Sequence, residues 1–428
     1  MIEAGAEPVP DPPNPDPTNP DAHHPQKERP WLFGLLIAPT AVLSNGIFAG
    51  VLSYLFRRQG VGIGRASEII SLVILPQTIY FLWSPITDFW MRRRSWLIFG
   101  AVAAAITIAI AFHGHRLDTR STVALMFLSA CFCQLVVASC GGMMGTLHSV
   151  ANRRRAGSFY QAGSLAFGAL GVFVLAMLAE KMGMGPLGLV AAAMIALPAL
   201  FALAAPEQLR TARQGLRHTL AGVWHEFKST FLCWRALPYT LLVVCPMGSG
   251  AAIGLLPGIA QDYHVSGHQM AWMNGMAGAL LMAAGSLAVT LIPARFRSSV
   301  SYLSVGIVNA ATLFILWLGP LTQSTYFLGT TLYLFTIGSC YALFTGVSLE
   351  FLGTSGKSGS GRYSIINSLG NIPVAYMTAL DGRGSRLLGP RGVPATEAVI
   401  GGLGAALLLL WFLTRKPAQT PAAVASGG

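Results

Sequence analysis

Polar side chains that could bind a solute stand inside long apolar stretches of the chain. Amide and phenol groups form hydrogen bonds, and in the apolar interior of a bilayer such groups are costly unless they meet a partner. Each could contact a solute or bond a neighbouring helix, and the sequence leaves both roles open. The set comprises Asn45, Gln77, Tyr80, Gln134, Tyr160, Gln161, Asn274, Tyr341, Asn367, Asn371 and Tyr376.

Two patches within this set are the best candidates for solute contact. Asn367 and Asn371 are four residues apart, hence on one face of a helix, and Pro373 follows them. This pattern predicts a bendable helix with a polar side. Gln161 directly follows Tyr160 and predicts a second polar patch.

Carboxyl groups near the apolar stretches are candidates for proton coupling. Glu68, Glu350 and Asp381 stand at the ends of such stretches, and we expect one to carry a proton if it faces an internal cavity. No carboxylate is evident deep inside a stretch, so the interior should favour a neutral or weakly charged solute. Facilitated diffusion and a proton carried by an acidic solute are the alternatives.

Motifs for catalysis or cofactor binding are not found in the sequence. It contains no H-E-x-x-H, no Walker loop and no G-x-S-x-G. The six cysteines lie mostly in apolar stretches and form no C-x-x-C pair, which is typical of reduced structural thiols. We therefore expect no enzymatic activity, no cofactor and no metal site.

The bulk composition indicates a membrane protein. Of the 428 residues, 53% are hydrophobic and 10% are charged, whereas roughly 25% are charged in soluble proteins. The net charge of +12 comes from small basic clusters between apolar stretches. Such clusters suit lipid headgroups on one side of a bilayer better than nucleic acid, so we expect no nucleic-acid partner.

Twelve apolar stretches are long enough to cross a bilayer, which takes about 20 residues. They form two sets of six, and the fold class that follows is an all-α membrane protein with twelve transmembrane helices in two pseudo-symmetric six-helix halves. The predicted spans are 31–56, 67–87, 95–113, 121–147, 158–179, 185–205, 236–259, 268–293, 300–319, 325–350, 363–380 and 396–414.

Composition also divides the chain into two halves, a connection and two tails. In the connection, Leu216, Trp224 and Phe227 recur at helical spacing, which predicts an amphipathic helix along the membrane surface; a mobile linker is the alternative. The predicted parts are a disordered tail at 1–30, a first half at 31–205, the linker at 206–235, a second half at 236–414 and a tail at 415–428.

The distribution of basic residues predicts the orientation. If the N-terminus is cytoplasmic, most of the 28 Lys and Arg residues fall in cytoplasmic loops. We therefore expect both termini in the cytoplasm and a multi-pass protein of the inner (cytoplasmic) membrane.

One loop combines an acid with a dense basic cluster. In FLWSPITDFWMRRRSWLIFG (Phe81–Gly100), Asp88 closes one span and Arg92–Arg94 open the next. The arginines alone would serve as membrane anchors. Candidate partners for Asp88 are these arginines, the triplet Arg153–Arg155 and the positive end of a helix. We favour a gate latch over an ordinary salt bridge.

These features resemble the major facilitator superfamily. Twelve spans in two sets of six, with D-x-x-x-R-R-R after the second span, are similar to its members. Three stretches further resemble the branch that contains the AmpG muropeptide permeases and the acetyl-coenzyme A transporters. They are FLWSP-x-x-D followed by RRRSW, RRRAGSFYQAGSLAFGALG (Arg153–Gly171) and RYSIINSLGNIPVAYMTALDG (Arg362–Gly382).

The resemblance implies a secondary transporter whose halves rock around a central cavity. It implies uptake of a small amphiphilic or cell-wall-derived solute, linked to protons, by a monomer that binds its solute and the lipid bilayer. It also implies that Asp88, with Arg92 and Arg93, stabilises the outward-facing state. A drug or metabolite exporter of the same superfamily, and a non-transporting sensor on the same scaffold, remain the alternatives.

Pseudo-symmetry between the halves predicts a second latch, in which Glu350 pairs with Arg295 or Arg297. The complete set of expected gating residues is Asp88, Arg92, Arg93, Arg94, Arg153, Arg154, Arg295, Arg297 and Glu350.

Overall fold

The structure is a computed structural model. It describes residues 28–414 apart from 84, 115, 146, 148–149, 206–214, 232–235, 294 and 353–358. Helices dominate these residues, and no strand is found among them. An all-helical chain suits a bilayer, because helices satisfy their backbone hydrogen bonds internally.

Six helices form the first half and a seventh forms the connection. They are α1 (Leu32–Arg58), α2 (Ile63–Thr78), α3 (Arg93–His113), α4 (Arg120–Gly145), α5 (Val150–Ala179), α6 (Met184–Ala204) and the linker helix α7 (Leu216–Phe231). The second half contains α8 (Leu237–Val243), α9 (Ala251–Ile259), α10 (Gly267–Leu291), α11 (Ser298–Leu318), α12 (Gln323–Leu352), α13 (Gly359–Leu388) and α14 (Gly392–Thr414).

Nine helical stretches in the described part of the chain are long and apolar enough to cross a membrane. One of them, Ser368–Thr414, contains both α13 and α14 residues. Helix α2 and the pair α8–α9 occupy the positions of the predicted second and seventh spans. The count of twelve crossings stays a prediction.

The predicted span 236–259 is broken in the structure. Helix α8 ends at Val243 and α9 begins at Ala251, and between them Gly248 and Gly250 have φ angles of 59° and 76°. Glycine adopts this left-handed conformation without steric cost, and a proline at position 246 also disfavours a continuous helix. The break exposes backbone carbonyls to contacts from other helices.

The two halves pack along α2 and α13. Ser71 donates a hydrogen bond to the carbonyl oxygen of Ala375 over 2.6 Å, and further along the same interface the backbone N–H of Phe81 donates to Ser368. At the end near Phe81, the linker helix α7 docks through Phe227, whose ring stacks on Phe81 with centroids 5.8 Å apart. We call this the linker end of the bundle.

Candidate functional site

A cavity of about 180 Å³ lies between the two halves. Helices α1, α2 and α5 line it from the first half, and the α8–α9 break, α9, α10, α12 and α13 line it from the second. Its polar lining residues are Ser44, Asn45, Gln77, Ser164, Asn274, Tyr341 and Asn371. No charged side chain is among the described lining residues, so the wall offers hydrogen bonds and apolar contacts.

Two asparagines of the wall stand in widened helical turns on opposite halves. Asn45 lies in a π-helical segment at Ala41–Val51 of α1, and Asn274 lies in another at Trp272–Ala277 of α10. π-helical turns interrupt the regular ladder and are frequent at functional sites. Both asparagines were identified as candidates from the sequence, but the π-helical turns were not predicted.

Asn274 presents a free acceptor beside the cavity. Its amide nitrogen donates to the Tyr326 hydroxyl over 2.8 Å and to the carbonyl oxygen of Met270 over 3.2 Å. The carbonyl contact requires a donor, which fixes the orientation of the amide. Its oxygen Oδ1 is buried and has no hydrogen-bond donor among the described residues, and such a group is costly unless a ligand bonds it.

The other polar lining residues differ in their contacts. The Asn45 amide donates to Ser164 across the α1–α5 interface over 3.3 Å. Tyr341 is 41% exposed, and its hydroxyl donates to the carbonyl oxygen of Ser249 in the α8–α9 break over 3.3 Å. Ser164 was not among the predicted residues, because a hydroxyl in a helix commonly bonds its own backbone and carries no signal.

Several predicted solute-contact residues lie elsewhere. Gln134 is 2% exposed and bonds the carbonyl of Ala130 in its own helix, and the Tyr376 hydroxyl donates to the carbonyl of Val244. Tyr160 packs against an apolar cluster that includes Leu32, and Tyr80 is buried. Gln161 is exposed but does not line the cavity, and the Asn367 side chain lies outside the described part.

Two ion pairs join the halves at the end opposite the linker helix, which we call the closed end. Arg57, in the last turn of α1, contacts Asp262, just beyond α9, over 2.8 Å. Arg386, near the end of α13, contacts Glu68 in the second turn of α2. Glu68, a predicted proton carrier, is therefore half-exposed and ion-paired.

A third contact at the closed end involves Glu180, just beyond the end of α5. The Tyr54 hydroxyl donates to Glu180 over 3.3 Å, and both side chains lie directly against Gly267, the first residue of α10. A side chain at Gly267 would overlap both of them. A carboxylate at a helix N-terminus meets the positive end of the helix dipole, so this contact also stabilises the closed arrangement.

At the linker end, Asp88 pairs with the neighbouring triplet. Its Oδ1 lies 2.8 Å from Nε and 2.5 Å from Nη2 of Arg93, and Arg93 also donates to the carbonyl oxygen of Gly142 in α4. These contacts tie the connection between α2 and α3, in which Asp88 lies, to α3 and α4 within the first half. The sequence left three candidate partners open for Asp88. The structure shows a bond to one of the adjacent arginines, Arg93.

The other expected gating residues make no second latch in the described residues. The Arg295 guanidinium lies 5.2 Å from the ring centroid of Phe296, and Arg297 is exposed. Arg92 is the N-cap of α3, and Arg94 lies in its first turn. The side chains of Arg153, Arg154 and Glu350 lie outside the described part of the chain, so that latch stays a prediction.

Two carboxyl groups are buried inside the second half, and the expectation that none lies deep was wrong. Asp381 is 0% and Glu397 is 3% exposed. The predicted spans stopped at 380 and began again at 396, whereas α13 continues to Leu388 and α14 begins at Gly392. Asp381 is followed by glycine and arginine, which are typical of a loop. Asp381 was therefore predicted at the end of a span, and Glu397 was not considered.

Comparison with known proteins identifies the fold. The family model of the Major Facilitator Superfamily matches residues 34–376 of the chain. No curated protein sequence matches it significantly. The nucleoside transporter NupG is 12% identical with a TM-score of 0.69, and the match covers 90% of this chain and 99% of NupG.

Two other solved structures are similar. A POT family transporter in complex with a thioalcohol-conjugated peptide is 11% identical with a TM-score of 0.68, covering 90% of this chain and 95% of that one. A D-xylose–proton symporter is 12% identical with a TM-score of 0.65, covering 89% and 95%. At these identities the likeness concerns the fold alone.

Proposed function

This chain belongs to the Major Facilitator Superfamily and is a multi-pass membrane transporter rather than an enzyme; we propose that it moves a small, amphiphilic, neutral or weakly charged solute. The observation that carries this proposal is the uncharged cavity between the halves, where amide and hydroxyl groups alternate with apolar side chains. Such a wall suits a solute that combines hydroxyl or amide groups with an apolar face.

Alternating access of the two halves is the proposed mechanism. The closed-end ion pairs Arg57–Asp262 and Glu68–Arg386 both cross from one half to the other. Rocking the halves apart at this end must break them and let the cavity open there. In the predicted topology both termini are cytoplasmic. The closed end then lies on the side of the inner membrane opposite the cytoplasm.

The size of the cavity constrains the solute. A volume of about 180 Å³ falls below the roughly 300–1,000 Å³ of sites for drug-sized ligands. In the closed arrangement it accommodates a group about the size of one sugar ring. A muropeptide-like solute, as the AmpG-like stretches suggest, then places one sugar in the cavity, and its remainder requires the halves to separate.

Proton coupling is part of the proposal. Two of the carboxyl groups singled out in the sequence are described by the structure. Glu68 is ion-paired at the closed end, whereas Asp381 is fully buried in the second half. A buried carboxyl that changes its charge during transport is a usual way to couple a proton. We therefore assign proton coupling to Asp381 and not to Glu68.

The test is a ligand screen followed by flux measurement. Purified protein is heated with amino sugars, muropeptides, acyl-coenzyme A esters and lipophilic drugs, because a ligand of the folded state raises the melting temperature. Hits are then measured as uptake into proteoliposomes that contain the wild type, Gln77→Ala or Gln161→Ala. Loss of uptake in Gln77→Ala alone supports the cavity as the site.

Two results would redirect the proposal. Equal uptake in wild type and Gln77→Ala would contradict the assigned cavity. Melting shifts from lipophilic drugs only, with flux directed out of the cell, would replace uptake of a sugar-like solute by drug export.

A further inference from the structure

Two carboxyl groups meet inside the second half without a basic partner. Asp381 of α13 lies against Glu397 of α14, and both are buried. Neither forms an ion pair with Lys, Arg or His in the described part of the chain. Two adjacent negative charges in an apolar interior are strongly disfavoured, so the pair must hold at least one proton.

The hydrogen bonds of the pair are unequal. Glu397 accepts bonds from the Tyr333 hydroxyl over 2.8 Å and from the backbone N–H of Ala252 over 2.7 Å, with the Ser249 hydroxyl at 3.5 Å. Asp381 has no donor for either carboxyl oxygen among the described residues. A proton shared between the two carboxyl groups supplies Asp381 with the hydrogen bond that it otherwise lacks.

The carboxyl pair is connected to the broken helix. Ala252 is the second residue of α9, directly after the break with its left-handed Gly248 and Gly250. A negative Glu397 at this N-terminus is favoured by the helix dipole and by the N–H bond. Gly250 and Ile253 line the cavity, so the residue that Glu397 bonds, Ala252, lies between two residues of the cavity wall.

The other end of α9 leads to the closed end. Along α9, Gly254 packs against Ala49 and Gly258 packs against Ser53, both of α1. The chain then reaches Asp262, which pairs with Arg57. Helix α9 therefore spans the distance from the carboxyl pair to the contact between the halves, and a shift at its N-terminus moves both the cavity wall and the closed end.

We propose that Asp381 and Glu397 form the proton-binding site of the transport cycle and that their proton occupancy sets the position of α9. This inference rests on the proposed transport function. With one shared proton the pair carries one negative charge, and Glu397 holds the N-terminus of α9. A second proton neutralises the pair, weakens the charge-assisted bond to Ala252 and frees α9 to leave α1.

The other titratable groups around the pair do not compete for this proton. Tyr333, Cys340 and Tyr341, all of α12, face Glu397, and the ordinary pKa values of tyrosine and cysteine lie above neutral pH. From α2, the uncharged Ser67 packs at Gly382, next to Asp381. The step is a proton transfer between water and a carboxylate, and no bond to the solute forms or breaks.

The experiment measures the closed end directly and needs no solute. Spin labels are placed on cysteines introduced at Ser121 of the first half and Ser324 of the second, both exposed, with Cys131 and Cys233 replaced by serine. The distance between the labels is measured from pH 8 to pH 5 in lipid nanodiscs. We expect the wild type to move to the longer, open distance as pH falls.

The variants assign this shift to the pair. Asp381→Asn and Glu397→Gln are expected to lose it, whereas Glu68→Gln, which removes a carboxyl at the closed end, should keep it. The exchanged double variant Asp381→Glu with Glu397→Asp retains two carboxyls and should recover it. A shift preserved in both single variants would overturn the inference, and so would a shift driven by Na⁺ at constant pH.

The two proposals fail differently. If hits from the ligand screen are transported but the label distance is independent of pH in the wild type, transport stands and the proton site falls. If the distance responds to pH through Asp381 and Glu397 while no solute is transported, the proton site stands and the proposed function falls. If Asp381→Asn or Glu397→Gln does not elute as folded protein, the exchanged double variant is measured in its place. A label distance independent of pH in that double variant would also contradict the assignment of the proton site to the carboxyl pair.

Discussion

Arg57 and Asp262 form an ion pair of 2.8 Å between α1 and the residues that follow α9, and this pair joins the two halves of the protein. Both side chains are largely covered, with exposed fractions of 29% and 22%. Burial raises the pKa of Asp262, and the nearby Arg57 opposes this change without cancelling it. The removal of water from the Asp262 carboxylate therefore affects its pKa more than the attraction to Arg57 does.

This balance predicts a mild effect for Asp262→Asn. Because the closed arrangement raises the pKa of Asp262, it binds a proton more readily than an open one, and acid favours closing at this pair. The pH range in which acid favours closing extends upwards from the ordinary carboxyl pKa of about 4, because the pKa of Asp262 in the closed arrangement lies above that value. Asp262→Asn should keep the short label distance at pH 7, and a clear opening would contradict the prediction.

Arg386 and Glu68 offer a charge-exchange test of the closed end. The pair is half-exposed, so we expect Arg386→Ala to shift the closed population only modestly, by roughly 0.2–1 kcal/mol, and less at high salt. The double variant Glu68→Arg with Arg386→Glu should restore the wild-type label distance. Failure of the exchange to restore it would mean that Arg386 acts through its bond to the Gly64 carbonyl.

Gly382 tests the close approach of α13 to α2. A Cβ atom at this position would overlap the Ser67 side chain, so Gly382→Ala must push the helices apart. Overpacking of this kind costs roughly 1–3 kcal/mol, and we expect a lower melting temperature. Ser67→Gly should partly rescue it, and Gly141→Ala, in α4 with no neighbour within 4 Å, is the matched control that should not destabilise.

Asp88 is expected to matter for the stability of the first half. Asp88→Asn leaves Arg93, with 18% of its side chain exposed, without this carboxylate. Losing one partner of a largely covered pair costs more than losing an exposed one, here roughly 1–3 kcal/mol. Thermal unfolding measures the loss. An unchanged melting temperature together with an altered label distance would indicate a gate latch instead.

Residue type and burial explain what the sequence could predict. Asn45, Asn274 and Asn371 were recognisable because an amide inside an apolar stretch needs a partner, and all three line the cavity. Asp381 was misplaced because the residues after it read as a loop. A buried carboxyl pair from two consecutive helices has no local pattern, since nothing in either helix alone predicts which face meets the other.

The closed end was beyond prediction for a different reason. Its partners lie 205 residues apart in Arg57–Asp262 and 318 apart in Glu68–Arg386. Each charge, taken alone, is an ordinary loop residue near a helix end. The ion pairs exist only because the two halves are tilted together at this end, and that arrangement belongs to one conformation of the bundle.

Asn274 provides the sharpest test of the cavity. Its Oδ1 atom has no donor among the described residues, so a solute hydroxyl or amide that donates to it would satisfy a group that is otherwise unpaired. Asn274→Ala should raise the dissociation constant of a transported solute by about 5- to 150-fold, which corresponds to roughly 1–3 kcal/mol. Asn309→Ala is the matched control, because Asn309 is equally polar, lies in the same half, does not line the cavity and donates its amide hydrogen bonds to Thr336 and the Tyr333 carbonyl. We expect that control to lower the melting temperature without changing affinity, and equal losses of affinity in both variants would remove Asn274 from the site.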